Sequence, residues 1–257
     1  MKAVLLAGGL GTRMREETEF RPKPMVAIGG RPILWHILKI YSAYGVNEFI
    51  VCGGYRAEVI KDFFHSYFIR NSDVTFDMKN NSIEVHQTHR EPWKVTVVDT
   101  GQETMTGGRV RRVREYIGNE RFYLTYGDGV ADVNIKALDE FHQKEGSWVT
   151  LTAVSPPGRF GALMLSEGNN KIDHFREKPR GDGAWVNGGF FVVEPQALDY
   201  IEDDSTVWEQ EPLRRLAREG KLSAYRHEGF WQAMDTLRDR DQLERLWSAG
   251  QAPWRRW

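Results

Sequence analysis

Short continuous apolar runs alternate, in the N-terminal part of the chain, with longer segments in which apolar residues recur every three or four positions. The runs at residues 3–7 and 48–53 each lead into a pair of glycines, a pattern typical of strands buried on both faces of a parallel sheet. Residues 31–45 and 57–69 have the helical spacing instead. The order strand, helix, strand, helix predicts an α/β fold with a doubly wound, mostly parallel central sheet.

The rest of the chain continues both patterns. Residues 73–86 alternate around an Asn-Asn pair, which is the signature of a β-hairpin. Further strands are predicted at residues 94–100, 121–129 and 147–154, and further helices at residues 107–118, 134–146, 208–220 and 237–250. Three apolar segments are expected to form a smaller mixed sheet beside the first one, namely residues 82–86, 171–175 and 184–193.

The composition is that of a packed globular protein, with 40% hydrophobic and 28% charged residues among 257. Its net charge of −1 argues against a nucleic-acid partner, which would favour a basic excess. The single cysteine, Cys52, allows no intrachain disulfide and lies in an apolar run, so a core residue and a reducing, cytoplasmic location are expected. The first apolar run is too short for a signal peptide, and no membrane partner is expected.

The loop after the first predicted strand, "AGGLGTR", combines three glycines with a cation. Glycines let backbone N–H groups approach an anion, and a loop in this position lies at the carboxyl edge of the sheet, where ligands bind. The register does not match the dinucleotide fingerprint, because Met14 stands where the third glycine belongs, and no P-loop lysine follows. Arg13 and Lys23, the latter between Pro22 and Pro24, add the positive charge that suits a triphosphate. We therefore predict a phosphate-binding loop rather than a tight turn alone.

Other polar positions are less specific when each is read alone. Asp128 follows a predicted central strand in "YGDG", where either a metal ligand or an ordinary turn residue is expected. Asp132 is a rival to Asp128 as a metal ligand but is expected instead at the start of the next helix, and Asp235 could cap the helix that begins at Leu237. The arginines of "GRVRRVR" are expected to form a solvated helix face, with Arg109 nearest the site. The seven histidines show no zinc-type spacing with cysteine and are expected to have surface or core roles.

Several motifs together resemble the sugar-1-phosphate nucleotidylyltransferases. The first of them is "LAGGLGTR" followed by "PKPM". The cytidylyltransferase branch is resembled most, through "EPWKVTVVDTG", "MTGGRVRRV", "TYGDGVADV", "PPGRFGAL", "EKPRGDGAWVNGGFFV", "TVWEQEPL" and "GFWQAMDTLRD". The resemblance extends from residue 2 to the C-terminus and implies a Rossmann-like nucleotidyltransferase fold. Because no linker appears, we predict one domain over residues 1–257, with a nucleotide-binding part at about residues 1–130 and a sugar-binding, more β-rich part at about residues 131–257.

The resemblance implies the transfer of a cytidylyl group from CTP to a hexose 1-phosphate, with glucose 1-phosphate as the expected sugar, giving CDP-glucose and pyrophosphate. The attacking sugar phosphate is already an anion, so catalysis requires positioning and charge neutralisation rather than a strong base. A magnesium ion (Mg2+) is the implied cofactor, because this hard cation needs only one or two carboxylates in addition to water and phosphate oxygens. The product would supply dideoxysugar synthesis for surface polysaccharide.

In this reaction Arg13 and Lys23 would neutralise the triphosphate and the reacting phosphates. Asp128 and Asp235 would hold the metal, and Arg13, Lys23 and Asp128 are the candidate catalytic residues. Backbone groups of the first loop would recognise the base, with help from the "ETMTGGRV" segment, and the choice of cytosine comes from the family branch alone. The candidate nucleotide-binding residues are Leu6, Ala7, Gly8, Gly9, Leu10, Gly11, Thr12, Arg13, Lys23, Thr104, Gly108 and Arg109.

The sugar phosphate is expected across the cleft from the nucleotide. Lys178 would bind the phosphate of the sugar and Glu177 its hydroxyl groups, both by family analogy. Asn187, before two glycines, can donate and accept hydrogen bonds with a sugar hydroxyl. The segment "PPGRFG" is expected to form a wall of the sugar pocket.

Two other functions stay open at this point. The same fold could use another nucleotide or another sugar 1-phosphate, or the chain could be a non-catalytic sensor of sugar nucleotides. A retaining glycosyltransferase is disfavoured, because it has no use for a triphosphate loop. A homo-oligomer is expected, with the hairpin at residues 73–87 and the terminal "APWRRW" as contacts, although the tail could instead be a packed terminus.

Overall fold

The computed structural model describes residues 1–88, 91–156, 162–165, 172–176 and 185–257. Its helices are α1 (Arg15–Thr18), α2 (Ile33–Ser42), α3 (Ala57–Arg70), α4 (Thr106–Arg112), α5 (Arg114–Ile117), α6 (Ile135–Glu145), α7 (Glu211–Arg218) and α8 (Leu237–Ser248). Its strands are β1 (Lys2–Leu6), β2 (Ala27–Ile28), β3 (Arg31–Pro32), β4 (Glu48–Gly53), β5 (Ser72–Asp77), β6 (Ser82–Thr88), β7 (Lys94–Asp99), β8 (Phe122–Tyr126), β9 (Gly129–Ala131), β10 (Val149–Val154), β11 (Ala162–Leu165), β12 (Ile172–Arg176), β13 (Val186–Asn187), β14 (Phe191–Val193), β15 (Leu222–His227) and β16 (Trp231–Ala233).

An eight-stranded central sheet confirms the predicted α/β class. Strands β7, β4, β1 and β8 are parallel neighbours in that order, and β10 pairs in parallel with β15. Strands β13 and β14, which pair with different parts of β10, run in the opposite direction to the other six strands of this sheet. Because β1 lies at the centre of its parallel strands, its carboxyl end opens at the edge where such sheets bind ligands.

The prediction that three apolar segments form a smaller mixed sheet is wrong. Strand β6 pairs only with β5, as an isolated hairpin, and β12 pairs with β11. Strands β13 and β14 belong to the central sheet instead. Alternation shows that a segment is a strand, but the partner of a strand is set by long-range packing, which the pattern does not encode.

Packing of helices on both faces of the sheet buries two apolar clusters. Helix α2 covers one face, with Ile33, Leu34 and Ile37 fully buried, as its spacing predicts. The other face holds Cys52 and Trp208, and burial raises the pKa of the Cys52 thiol to about 12, so this cysteine is the predicted core residue. No helix among the described residues has the length and apolarity needed to cross a bilayer.

The helix predicted at residues 107–118 is two short helices, α4 and α5. Val113, at φ −101° and ψ 9°, leaves the helical conformation and separates them. The two glycines lie inside the first turn of α4 because a neighbouring backbone passes close by. A Cβ on Gly107 would lie 2.7 Å from the carbonyl oxygen of Thr206, and one on Gly108 would lie 2.6 Å from Asp204. These glycines therefore serve helix packing.

The aromatic C-terminal tail packs against its own chain. Trp254 is fully buried, stacks on Phe230 with ring centroids 5.5 Å apart, and donates from Nε1 to Nδ1 of His36 over 3.3 Å. Arg256 pairs with Asp132 at 2.9 Å. The packed-terminus alternative thus describes Trp254, whereas the hairpin formed by β5 and β6 stays exposed.

Candidate active site

The glycine loop lies where the sequence places it, directly after β1. It forms one wall of a cavity of about 460 Å³ at the carboxyl edge of the sheet. Gly11 has a φ of +62°, in the left-handed region that glycine adopts without strain, and a Cβ there would lie 2.9 Å from the Thr18 side chain. The predicted residues that line the cavity are Leu6, Ala7, Gly8, Gly9, Leu10, Gly11, Thr12, Arg13, Lys23, Thr104, Arg109 and Asp128.

Four charged side chains meet at the mouth of this cavity. Lys23 Nζ lies 2.6 Å from Asp128 Oδ2 and 2.6 Å from Asp235 Oδ1. Arg13 Nη1 lies 3.0 Å from the other oxygen of Asp235. The predicted convergence of two cations and two carboxylates at one sheet edge is therefore present. Arg13 remains largely exposed, with 72% of its side-chain surface accessible, so its guanidinium can also reach a ligand.

Local structure fixes Lys23 at this point. A single 3₁₀ turn, Lys23–Met25, begins after the extended Pro22, and Pro24 lies inside the turn. Lys23 is only 9% exposed. Burial by itself would lower the pKa of its ammonium, but the adjacent Asp128 and Asp235 outweigh that effect and raise the pKa. Lys23 is accordingly a cation at neutral pH, carried on a backbone that the turn holds in place.

Two separate elements bring the carboxylates together. Asp128 follows β8 and precedes β9, and β9 pairs antiparallel with β16, next to Asp235. The N–H of Met234 donates to the carbonyl oxygen of Asp128 over 2.8 Å. Burial would raise the pKa of Asp235, but hydrogen bonding to Lys23 and the charges of Lys23 and Arg13 hold it below its usual value. Both carboxylates therefore face the same cation.

Asp235 and Asp132 do not have the helix-capping and helix-entry roles considered for them. Thr236, not Asp235, caps α8, and its hydroxyl accepts from the N–H of Asp239 in a reciprocal capping box. Asn134, not Asp132, caps α6. Asp132 instead accepts from the N–H of Phe230 over 2.7 Å and joins the tail.

Arg109 is buried in the cavity wall and does not lie on a solvated face. It is 5% exposed. Its guanidinium donates to the carbonyl oxygens of Gly8, Gly53, Gly101 and Gln102 and to Thr100 Oγ1, at 2.7 to 3.1 Å. Burial lowers its pKa, but arginine stays charged. Arg109 thus holds the glycine loop against two other loops, and Gly8 leaves room for it, since a Cβ there would lie 2.1 Å from Nη1.

The remaining predicted positions divide into three cases. Gly108 does not line the cavity and packs on Asp204, so the cavity geometry gives its predicted nucleotide contact no support. Asn187 ends β13 beside the cavity residue Tyr126, to whose hydroxyl its Nδ2 donates over 3.0 Å. Glu177, Lys178 and most of "PPGRFG" lie outside the described residues.

Sequence reasoning missed part of the cavity lining. Pro24, Gln102 and Tyr126 line the cavity without having been predicted to do so. Glu103, Met105 and Thr106 also line it; they lie in the predicted segment "ETMTGGRV" but were not singled out within it. Tyr126 and Thr106 stand directly beside predicted motifs, in "TYGDG" and "MTGG", but a neutral hydroxyl carries no signal of ligand binding by itself. Only the convergence of β8 and α4 on one cavity reveals them.

This fold and site define a nucleotidyltransferase, with a glycine loop, paired cations and paired carboxylates at one edge of a mostly parallel sheet. The family model "Nucleotidyl transferase" matches residues 2–236, and the chain belongs to that family. It is 58% identical to glucose-1-phosphate cytidylyltransferase of Salmonella typhi over the whole of both chains. It is 45% identical to a probable glucose-1-phosphate cytidylyltransferase of Bacillus subtilis, also over both whole chains. The solved structure of HddC from Yersinia pseudotuberculosis has the same fold, with a TM-score of 0.69, 21% identity and coverage of 96% of this chain and 99% of that one.

Proposed function

We propose that this protein transfers the cytidylyl group of CTP to α-D-glucose 1-phosphate, releasing CDP-glucose and pyrophosphate. The observation that carries the proposal is the convergence of Arg13, Lys23, Asp128 and Asp235 at the mouth of a glycine-lined cavity. Full-length identity of 58% to the Salmonella typhi enzyme supports the choice of both substrates.

The reaction is an in-line displacement at the α-phosphorus of CTP. A phosphate oxygen of the sugar forms the new bond, and the bond to the bridging oxygen breaks as pyrophosphate leaves. Two polyanions must meet, so the residues work by neutralising charge and fixing geometry. Lys23 stabilises charge at the reacting phosphates and Arg13 charge on the leaving pyrophosphate, each contributing about 3–4 kcal/mol to transition-state stabilisation.

Asp128 and Asp235 are the proposed ligands of Mg2+. The site fits this ion, because two carboxylate oxygens already lie 2.6 Å from one cation, the Lys23 ammonium. Oxygen ligands of this kind suit a hard divalent cation, and water and phosphate oxygens would supply its remaining ligands. When bound, Mg2+ would offset charge on the triphosphate, and Lys23 would then turn from the carboxylates to the phosphates.

We propose that the base of the nucleotide binds against the cavity wall formed by Leu6, Ala7 and Gly8. Arg109 fixes the shape of this wall by anchoring the Gly8 carbonyl, and the buried Thr104 lines the same cavity. Cytosine presents an N4 donor and an N3 acceptor, and a wall of fixed backbone groups would reject the inverted pattern of uracil. Thr12 and Gly9 to Gly11 then face the phosphates.

The sugar side is proposed around Asn187, with Lys178 on the phosphate and Glu177 on hydroxyl groups. One domain would therefore combine a nucleotide-binding part at about residues 1–130 with a sugar-binding part at about residues 131–257. Their strands share the central sheet, which keeps both substrates at one edge. A cytoplasmic location and supply of CDP-glucose to surface-polysaccharide synthesis accompany this proposal.

A homo-oligomer is also proposed, with the β5–β6 hairpin as contact surface. Phe76, Met78 and Ile83 on this hairpin are 55%, 87% and 57% exposed. An isolated two-stranded hairpin is marginally stable, and an exposed cluster of large apolar side chains marks an interaction surface.

A nucleotide-by-sugar-phosphate matrix tests the activity. Release of pyrophosphate should be at least about tenfold faster for CTP with glucose 1-phosphate than for UTP, dTTP or other hexose 1-phosphates, because one wrongly paired buried group costs about 1–3 kcal/mol. Lys23→Ala and Asp128→Asn should lose on the order of 100-fold or more in turnover while still folding. Lys39→Ala, which breaks an ion pair with Glu91 away from the cavity, is the control. A higher rate with UTP or dTTP would refute the assignment of CTP, and CTP binding without any turnover would support a sensor.

A further inference from the structure

A chain of hydrogen bonds crosses the wall of the cavity and links Asn187 to Tyr126, Glu209 and Thr106, three residues that have no part in the proposed reaction. Asn187 Nδ2 donates to the hydroxyl of Tyr126 over 3.0 Å, and this hydroxyl donates to Glu209 Oε1 over 2.6 Å. From the other side, Thr106 Oγ1 donates to Glu209 Oε2 over 2.6 Å. Tyr126 and Thr106 line the cavity, whereas Glu209 lies behind them, half-buried.

Backbone groups fix the direction of this chain at both ends. The N–H of Gly189 donates to Asn187 Oδ1 over 2.9 Å, and since a backbone N–H can only donate, the oxygen and nitrogen of the amide are assigned. At the other end, the N–H of Trp208 donates to Thr106 Oγ1 over 2.9 Å. Each hydroxyl therefore accepts from its outer partner and donates inward to Glu209.

Glu209 accepts at both oxygens, which is the role of an ionised carboxylate. If one of the two oxygens were replaced by a donor, the hydrogen bond from Tyr126 or the one from Thr106 would have to change its direction. The hydroxyl of Tyr126 keeps its proton, because burial and the neighbouring Glu209 raise its pKa. Tyr126 is also held from the side by Phe191, with ring centroids 6.0 Å apart.

The segment that carries Asn187 is strained and tightly held. Phe190 is buried and has a φ of 46°, an unfavourable conformation for a residue with a Cβ. The carbonyl of Gly188 accepts from Trp231 Nε1 over 2.8 Å, and the N–H of Gly188 donates to Thr152 over 2.8 Å. Strain that the surrounding structure maintains in this way is typical of functional positions.

We propose that Glu209 and Tyr126 are positioning residues for the sugar 1-phosphate, acting through the amide of Asn187. One N–H of that amide is used by Tyr126, and the second, which has no hydrogen-bond partner among the described residues, would donate to a hexose hydroxyl. This inference rests on the proposed function, in which Asn187 binds the sugar. Neither Glu209 nor Tyr126 needs to contact the reacting atoms.

Steady-state kinetics with separate KM values for the two substrates tests this. Tyr126→Phe removes the hydroxyl that orients Asn187, and it should raise KM for glucose 1-phosphate about tenfold while KM for CTP changes less than about twofold. Glu209→Gln, of the same shape, should raise the same KM, because its amide nitrogen cannot accept a hydrogen bond. Thermal unfolding identifies any variant that fails to fold. If one of the two variants fails, the KM values of the other variant test the inference.

A double-mutant cycle separates positioning from a general structural effect. Asn187→Ala should raise KM for glucose 1-phosphate, and adding Tyr126→Phe to it should cause no further rise, because both changes act through one amide. Glu219→Gln is the matched control, since Glu219 also accepts from a tyrosine, Tyr200, but at the far end of α7, away from the cavity. This variant should keep the wild-type KM values.

Two results would overturn the inference. If the wild-type protein turns over, an unchanged KM for glucose 1-phosphate in both Tyr126→Phe and Glu209→Gln would refute the positioning role. The proposed function would not be affected by that result. Fully additive effects of Tyr126→Phe and Asn187→Ala would also refute the positioning role. If the wild-type protein releases no pyrophosphate from CTP and any hexose 1-phosphate, the proposed function fails first and the inference fails with it.

Discussion

At the residue scale, Lys23 is the side chain on which the candidate site depends. It bridges two carboxylates that come from elements more than 100 residues apart in the chain. One ammonium thus occupies the position where the proposed divalent cation would sit. Lys23 and the metal would then compete for Asp128 and Asp235 until phosphate oxygens offer Lys23 other partners.

Removing this ammonium should therefore change metal binding in the absence of nucleotide. In Lys23→Met, Asp235 keeps its ion pair with Arg13 but Asp128 loses its ion pair with Lys23, so Mn2+ should bind about tenfold more tightly than to the wild-type protein. Electron paramagnetic resonance of free Mn2+ measures this without any turnover. Lys39→Met is the control, because Lys39 pairs with Glu91 outside the cavity. Equal or weaker Mn2+ binding by Lys23→Met would show that Lys23 does not occupy the metal position.

At the element scale, the start of α8 holds Asp235 in place. Asp239 Oδ2 accepts from the N–H groups of Asp235 and Thr236, at 3.1 and 2.8 Å, and from the Thr236 hydroxyl at 2.8 Å. The same residue, Asp239, thus completes the capping box of this helix and holds the candidate metal ligand Asp235. Helix stability and site geometry are coupled here.

Asp239→Ala should consequently affect both properties. Loss of the cap should lower the free energy of unfolding by about 1 kcal/mol, and the Mg2+ concentration needed for half-maximal rate should rise several-fold as Asp235 loses its anchor. Urea unfolding and a magnesium titration measure the two effects. As a control, Asn134→Ala removes the cap of α6 and should cost similar stability without changing the magnesium requirement. A normal magnesium requirement in Asp239→Ala would contradict this coupling.

Helix α2 is joined to the C-terminal tail through a buried histidine. His36 Nδ1 accepts from Trp254, so Nε2 carries the proton that bonds to the carbonyl of Ile28 over 2.8 Å. Burial lowers the pKa of His36 to about 4. The neutral imidazole is thus built into the contact between helix and tail.

The stability of the protein should accordingly fall in mild acid. The unfolded chain takes up a proton near its ordinary pKa of about 6.5, before the folded protein does, so this contribution is complete above about pH 6.5 and is lost down to about pH 4. Between about pH 7.5 and pH 5 the loss is about 2 kcal/mol. Urea unfolding at both values should show a smaller loss in His36→Gln than in the wild-type protein. The exposed His65→Gln should keep the full loss, and an unchanged loss in His36→Gln would refute this role.

At the scale of the whole molecule, the β5–β6 hairpin forms a two-stranded sheet of its own, apart from the central sheet. Its large apolar side chains face solvent, while those of the C-terminal tail are packed inward. If the hairpin is the oligomer contact, charge placed on it should weaken association, because an unpaired buried charge is costly.

Light scattering after size exclusion tests this contact. The wild-type protein should have a mass that is a multiple of 29.7 kDa, and the double variant Phe76→Glu, Ile83→Glu should shift to a smaller species. Tyr116→Glu, an exposed aromatic position on α5, should keep the wild-type mass. A wild-type monomer, or a double variant of unchanged mass, would refute the hairpin as the contact.

The amino-acid sequence by itself predicted the local structure and the residue types on which the proposed chemistry depends. Buried strands and amphipathic helices were predicted to within a few residues, since periodicity is a local property. Arg13, Lys23 and the glycine loop were identified because their residue types follow directly from the need to bind phosphate. A smaller sheet was wrongly predicted for the same reason, because alternation does not specify a partner.

Only the tertiary structure decided how distant segments meet. The β9–β16 pairing brings Asp235 close to Asp128. The two residues are more than 100 positions apart in the chain, so no local sequence pattern predicts that they meet. Burial turned Arg109 from an expected helix-face arginine into the anchor of the glycine loop. Likewise, Glu209 acquires its proposed role only through the hydroxyls of Tyr126 and Thr106, which come from two other elements. Residue type and spacing define what a side chain can do, but its charge environment and partners depend on long-range packing, which exists only in the folded chain.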